Sequence, residues 1–106
     1  MSKRMRENLS YLQVLAKCKP KIRKVIVEHG PAEVLTCVCE CCYNLLKGTV
    51  PLTPGQKRRL SRYKKHLRKL ADKKVSRVKK RQILNQKGGN LLTALLPPVL
   101  SVLGSL

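Results

Sequence analysis

The chain has no phenylalanine and no tryptophan, and its only aromatic residues are Tyr11, Tyr43 and Tyr63. Proteins that bind single-stranded nucleic acid usually stack bases on aromatic side chains, so this composition disfavours that class. With 106 residues and a mass of 12.0 kDa, the chain is long enough for one small domain at most. Its core must therefore be aliphatic and thin.

Acidic residues are also scarce, because five Asp and Glu stand against 24 Lys and Arg and give a formal net charge of +19. The acids are scattered singly, and neither His29 nor His66 has a neighbourhood that suggests a catalytic pair or triad. We therefore predict no enzymatic activity and no catalytic residue. His29 is expected at a helix end and His66 on a basic face.

The positive charge is concentrated in one part of the chain. Residues 56–87 hold fifteen basic residues and one acid, residues 1–30 eight and two, residues 31–55 one and two, and residues 88–106 none. Such asymmetry indicates contact with nucleic acid or with an anionic membrane. Like charges recur three and four residues apart in 56–87, so this segment repels itself and a polyanion would relieve the repulsion.

Strand patterns are almost absent and helix punctuation is frequent, so the sequence predicts an all-α fold. We expect a helical module at 1–48 with about three short helices, a loop at 49–55, basic helices at 56–87, and a Gly-Gly junction with an apolar tail at 88–106. The predicted helices cover residues 3–17, 20–29, 31–47, 57–73 and 77–86.

Several residues at the predicted helix ends fit capping roles. Gly30 and Gly48 are typical of C-terminal caps. Thr53 and Gln56 have the spacing of a capping box, and Ser76 fits the N-cap of the last helix.

Apolar residues at three- and four-residue steps predict the inward face of each helix. In the second helix this face is expected to hold Ile22, Val25 and Ile26. In the long basic helix, Tyr63 is expected to point towards the core rather than to serve as a stacking platform.

The basic residues of the third zone are the predicted nucleic-acid contacts. The sequence has no recognisable zinc finger and no helix-turn-helix spacing, so we expect contact with phosphates and no sequence-specific reading. The predicted contacts are Lys57, Arg58, Arg59, Arg62, Lys64, Lys65, Arg68, Lys69, Lys73, Lys74, Arg77, Lys79, Lys80, Arg81 and Lys87.

Four of the five cysteines lie within six residues, Cys37 to Cys42. On one helix, Cys37 and Cys41 share a face and Cys39 and Cys42 share a diverging one, which does not give the two separated ligand pairs of a usual zinc site. Burial of these four thiols in a helix interface is favoured over metal binding, and redox cross-linking is a third interpretation. Cys18 lies apart from this cluster. No cofactor and no metal ligand is predicted. Because no signal peptide is apparent, secretion is disfavoured and reduced thiols are expected.

The tail beyond Gly88-Gly89 is uncharged and apolar. A bilayer span needs about 20 apolar residues, and Pro97-Pro98 interrupts this run, so a transmembrane helix is not predicted. Three roles are open: shallow insertion in a membrane, docking on a protein such as a capsid subunit, and covering the protein's own core. The glycine pair is expected to act as a hinge or as a protease-sensitive junction.

Five segments of the chain carry recognisable motifs: Leu15 to Lys24, Cys39 to Cys41 with Asn44 and Leu45, Leu70 to Lys74, Gln86 to Leu92, and Leu95 to Gly104. Together they resemble the small basic proteins of adintoviruses and Polinton (Maverick) elements, over nearly the whole chain. The basic stretch, the Gly-Gly junction and the Leu/Pro-rich tail are also similar to adenovirus core protein X, the precursor of the mu peptide.

The resemblance implies a virion core protein that condenses packaged double-stranded DNA, located in the virion core and the host nucleus. In such a protein we expect the N-terminal helices to form a scaffold or a self-association surface. It also implies maturation by a viral cysteine protease. Such proteases favour an aliphatic residue, any residue and Gly-Gly before the cut, which marks Gly88, Gly89 and Asn90 as the candidate cleavage site. This chain departs from that pattern with Gln86 at the aliphatic position.

Two other functions fit the sequence. A membrane-active cationic protein would place its basic helix on anionic lipid and insert its tail. A small intracellular RNA-binding protein would use the same cations, although the apolar tail has little use there.

Overall fold

The computed structural model describes residues 2–103, and for residues 87–89 it describes only the helical backbone. These residues form an all-helical fold, and no strand occurs among them, so the predicted fold class is confirmed. The helices are α1 (Lys3–Glu7), α2 (Leu9–Lys17), α3 (Pro20–His29), α4 (Ala32–Lys47), α5 (Pro54–Ser61), α6 (Lys64–Ala71) and α7 (Arg77–Val102).

The helix predicted at residues 3–17 is two helices, because the chain breaks at Asn8. The Asn8 side-chain amide donates a hydrogen bond to the Arg4 carbonyl oxygen at 2.9 Å, and the Asn8 backbone N–H donates to the same oxygen at 3.1 Å. Asparagine side chains compete with the backbone for such bonds and favour helix ends. The N-terminus of α1 is capped by Ser2, whose hydroxyl accepts a hydrogen bond from the Met5 N–H at 3.3 Å.

The bounds predicted for α3 are correct, but its inward face is not the predicted one. Ile22 and Val25 are exposed, whereas Arg23 and Val27 are buried and Ile26 is partly buried. The buried guanidinium donates to the carbonyl oxygens of Leu15 at 2.9 Å and Cys18 at 3.0 Å. These carbonyls lie at the end of α2 and lack partners within that helix, so a side chain from α3 supplies their hydrogen bonds.

Glycine is required at the two predicted caps for different physical reasons. Gly48 ends α4 in the left-handed conformation, with φ of 84°, and its N–H donates to Asn44 at 3.2 Å, as expected for a C-terminal glycine. Gly30 ends α3 with ordinary extended backbone. A side chain at Gly30 would collide with the Ile26 carbonyl oxygen, so this position needs glycine for close approach.

The capping box at the start of α5 is confirmed, but the predicted long basic helix is not continuous. The Thr53 N–H donates to Gln56 Oε1 at 2.9 Å, and the Gln56 N–H donates to Thr53 Oγ1 at 3.1 Å. At the end of α5 the chain forms a tighter turn, in which the Tyr63 N–H donates to the Leu60 carbonyl oxygen at 2.9 Å. This turn separates α5 from α6 and leaves Tyr63 packed against the core, as predicted.

The last helix begins as predicted but runs much further. Ser76 caps it by accepting from the Lys79 N–H at 3.2 Å, and α7 then continues to Val102 through the glycine pair and the two prolines. The hinge predicted at residues 88–89 is therefore replaced by continuous helix.

Burial of the tail explains why α7 continues. Six Leu and Val side chains between residues 91 and 100 are completely buried, and burial of each contributes about 1.5–3 kcal/mol. Together they outweigh costs of about 1 kcal/mol for each glycine and about 3 kcal/mol for each proline inside a helix. Of the three roles open for the tail, the structure shows covering of the protein's own core. The buried residues are Leu91, Leu92, Leu95, Leu96, Val99 and Leu100.

The core is assembled around α7, which packs against α2, α3, α4, α5 and α6. Met5, Leu12 and Leu15 from the first two helices and Leu70 from α6 are fully buried in the same cluster. Helix α4 lies against both α6 and α7, so it connects the N-terminal helices with the basic ones.

Replacing Leu95 with alanine should lower the free energy of unfolding by about 2–5 kcal/mol, because this side chain is fully buried. Val102→Ala is the matched control, since Val102 is 44% exposed and should change stability by less than about 0.5 kcal/mol. Urea unfolding followed by circular dichroism measures both. Equally small effects would contradict the placement of the tail in the core.

Candidate nucleic-acid interface

The candidate interface is built on α5, α6 and the first turns of α7. Leu60 is buried on α5, and Leu67 and Leu70 are buried on α6. At the start of α7, Ile83 and Leu84 are buried, whereas Val78 is 64% exposed. The remaining positions are mostly basic, so burial of one apolar stripe on each helix leaves the cations towards solvent.

Most of the predicted contact residues are exposed. We call the exposed and half-buried ones the basic surface. Its exposed members are Lys57, Arg58, Arg59, Arg62, Lys64, Lys65, Arg68, Lys73, Lys74, Arg77 and Lys79, and its half-buried members are Lys69 and Arg81.

Two of the predicted residues do not belong to the basic surface. Lys80 is buried, with 8% of its surface exposed, and the Lys87 side chain lies outside the described part of the structure. The position of Lys80 could have been found from the sequence, because Ile83 and Leu84 lie three and four residues further on the same helix and mark the inward face.

The cations of the basic surface have no acidic partners within the described residues. The ion pairs of the described residues lie outside the basic surface, between Lys3 and Glu7 at 3.8 Å and between Glu28 and His29 at 3.7 Å. Asp72, the only acid between residues 56 and 87, accepts the Lys74 backbone N–H at 2.9 Å. The surface therefore holds an uncompensated charge that attracts polyanions and repels itself.

The histidines and the junction residues contribute little to this surface. His29 is the last residue of α3, as predicted, and His66 is half-buried on α6. Asn90 is exposed on α7, while for Gly88 and Gly89 only the helical backbone is described. Cleavage between Gly89 and Asn90 would cut α7 within its helical range.

The cysteines pack as core residues of α4. Cys37, Cys41 and Cys42 are completely buried, and Cys18 and Cys39 are partly exposed. All five are free thiols, so the predicted packing role is confirmed for the three buried ones. No group of three or more metal-ligating side chains comes together in the described range of the chain.

Burial controls the chemistry of these thiols. It raises the pKa of Cys37 from 9.0 to about 11, with a smaller contribution from the Glu40 carboxylate. Burial also raises the pKa values of Cys41 and Cys42. For Cys39 burial again raises the pKa, although the positive charges of Lys80 and Arg77 act in the opposite direction. Since the thiolate is the reactive form and burial also blocks access to a reagent, Cys37, Cys41 and Cys42 are held in their unreactive state at neutral pH.

Labelling with Ellman's reagent should distinguish buried from accessible thiols. We expect no more than two of the five, Cys18 and Cys39, to react rapidly in the folded protein, and all five to react in urea. A Cys18→Ser variant is the control, because it should remove one of the rapid thiols. Rapid reaction of four or five thiols without denaturant would contradict the packing of α4.

The same burial predicts a loss of stability at high pH. Cys37 stabilises the fold fully below its unfolded pKa of 9.0, and this contribution is lost as the pH rises to about 11, because the unfolded chain releases the proton first. The fall in the urea midpoint over this range should be smaller in Cys37→Ala than in the original protein. An unchanged fall would contradict the prediction.

Among the helices that the structure describes, none combines the length and the apolar character needed to cross a bilayer. Comparisons of the chain with protein-family models, with curated proteins and with solved structures give no match. The function of the basic surface must therefore follow from its own charge, exposure and shape.

Proposed function

We propose that the protein binds duplex DNA through the basic surface, without sequence specificity, and condenses it. The observation that carries this proposal is a set of eleven exposed Lys and Arg side chains on α5, α6, the start of α7 and the segments that join them, with no carboxylate partner in the described part of the chain. Isolated surface charges of one sign lower stability by mutual repulsion. A polyphosphate removes the repulsion and gains entropy from the counterions that it releases.

The composition of the surface supports binding to phosphates rather than to base edges. The apolar residues of α5 and α6 that could contact bases, Leu60, Leu67 and Leu70, are buried, and Tyr63 packs against the core. The exposed positions are dominated by lysine and arginine. Such contacts fix a protein on the duplex but carry no sequence information.

The biological setting that we propose is the core of a virion from a virus-like mobile element, with the host nucleus as the site of packaging. The motifs shared with adintovirus and Polinton proteins support this setting. A viral cysteine protease remains part of the proposal, but α7 must open around Gly88-Gly89 before a protease can bind the chain in extended form. The rate of cleavage of the folded protein would therefore depend on how often α7 opens at this point.

The salt dependence of DNA binding tests the basic surface. If about eight phosphates are neutralised, the slope of log affinity against log salt should be about −7. Replacing Lys64, Lys65 and Arg68 with glutamine should reduce that slope to about −4, because each lost phosphate contact removes about one unit. Fluorescence anisotropy with a short labelled duplex measures the slopes.

A charge-matched variant controls for the loss of net charge. Lys17, Lys21 and Lys24 are exposed cations on α2 and α3, outside the basic surface, and their replacement with glutamine should leave the slope nearly unchanged. Equal losses in the two triple variants would contradict a localised interface. Tighter binding to structured RNA than to duplex DNA at the same salt would favour the RNA-binding alternative.

Condensation makes a separate prediction. With a net charge of +19, charge balance requires roughly one protein for every nine to ten base pairs. Light scattering from long duplex DNA should rise sharply near this ratio and fall when salt is added. The Lys64, Lys65 and Arg68 triple variant should need a higher ratio. Binding without any rise in scattering would limit the protein to coating DNA.

A further inference from the structure

A cleft of about 730 Å³ lies between α1, α4 and the segment that joins α6 to α7. Four basic side chains line it: Arg4, Lys73, Arg77 and Lys80. The one acid in the lining, Glu40, accepts the Ser2 backbone N–H at 3.3 Å. The cleft therefore has a positive charge, and its volume is typical of sites for single small molecules.

Lys80 is the residue that points to a ligand. Lys80 is 92% buried, and its positive charge lies close enough to the Cys39 thiol to oppose the rise in pKa that burial causes in that thiol. No ion pair of Lys80 with a carboxylate occurs among the described residues. Lys80 lines the cleft, and a cation that is largely buried is stabilised by a nearby negative charge, so an anion in the cleft would complete this arrangement.

The start of α7 adds to the attraction for an anion. Val75 and Arg77, on either side of the N-cap Ser76, both line the cleft, so the N-terminus of this 26-residue helix borders it. The first backbone N–H groups of a helix and its dipole both favour phosphate.

The cleft also has apolar lining that suits an organic group. Leu35, Ala71 and Val75 provide this lining, and Tyr43, which is 52% exposed, lines the same cleft. The amide of Asn44 and the hydroxyl of Thr36 are further lining groups that can form hydrogen bonds. A duplex is too large to enter a space of this size.

We propose that this cleft binds a small phosphate ester of nucleotide size, with its phosphates on Lys80, Arg77, Lys73 and Arg4 and its ring against the apolar wall. The site is distinct from the duplex-binding role of the basic surface, which depends on exposed cations of α5 and α6 as well. It does not rest on the proposed function, and it survives if DNA binding fails.

Titration calorimetry of the full chain with metal-free ATP tests the site. We expect saturation at one ATP per protein. Lys80→Met keeps the volume and removes the charge, and it should weaken binding by about 10- to 100-fold, the loss expected for a charge-assisted hydrogen bond. Lys57→Met is the matched control, because Lys57 is exposed and lies outside the cleft, and its affinity should stay within about twofold. Circular dichroism checks that both variants fold. If Lys80→Met does not fold, Arg77→Gln at an exposed position in the cleft lining gives a second test, and it should also weaken ATP binding.

Protection of a thiol locates the ligand. Cys39 lines the cleft and Cys18 does not, so in a Cys18→Ser variant the remaining accessible thiol reports on the site. ATP should slow its alkylation, whereas adenosine should not. A duplex at equal phosphate concentration should protect it less than ATP does.

Three results would overturn the proposal. Binding of several ATP molecules that is weakened equally by Lys57→Met and Lys80→Met would indicate diffuse attraction to a basic protein. Protection of Cys39 by the duplex as complete as that by ATP would assign the cleft to the DNA interface. If pyrophosphate bound as tightly as ATP, the organic part of the ligand would contribute nothing to affinity, and the site would be a phosphate site only.

Discussion

The structure depends on burying the apolar half of α7. A chain without phenylalanine and tryptophan must fill its core with aliphatic side chains, and residues 91–100 provide the densest group of them. Because α7 packs against α2 through α6, this single helix holds the N-terminal and basic helices in one domain. The glycine pair and the proline pair are tolerated within it because the burial that they permit is larger than their cost.

The same helix couples charge to packing. Its first turns carry Arg77 and Lys79 on the surface, and its later turns fill the core. Repulsion among the cations is opposed by the buried leucines of α5, α6 and α7, such as Leu67 and Leu84. An anion that binds the folded protein therefore stabilises the core as well, through mass action on the folded state.

The residues that cap the two ends of helices were the most predictable part of the fold. Gly48, Thr53 and Ser76 act where local sequence alone dictates, since a cap needs only its own turn. Tertiary contacts decided the rest. The inward turn of Arg23 depends on carbonyls at the end of α2, and the continuity of α7 depends on a core that five other helices build. The cations were predicted as a set, but the burial of Lys80 separates one member from the rest.

The position of the core-forming residues near the end of α7 also constrains synthesis. The ribosome delivers residues 56–87 before it delivers Leu91 to Leu100, so the basic segment emerges while the core that shapes it is still incomplete. Folding of the domain must wait until the chain has been translated past Leu100. During that interval the basic segment of the nascent chain can bind nearby RNA. A chain whose synthesis stops before Leu91 lacks the residues that complete the core, so it cannot fold in competition with that binding.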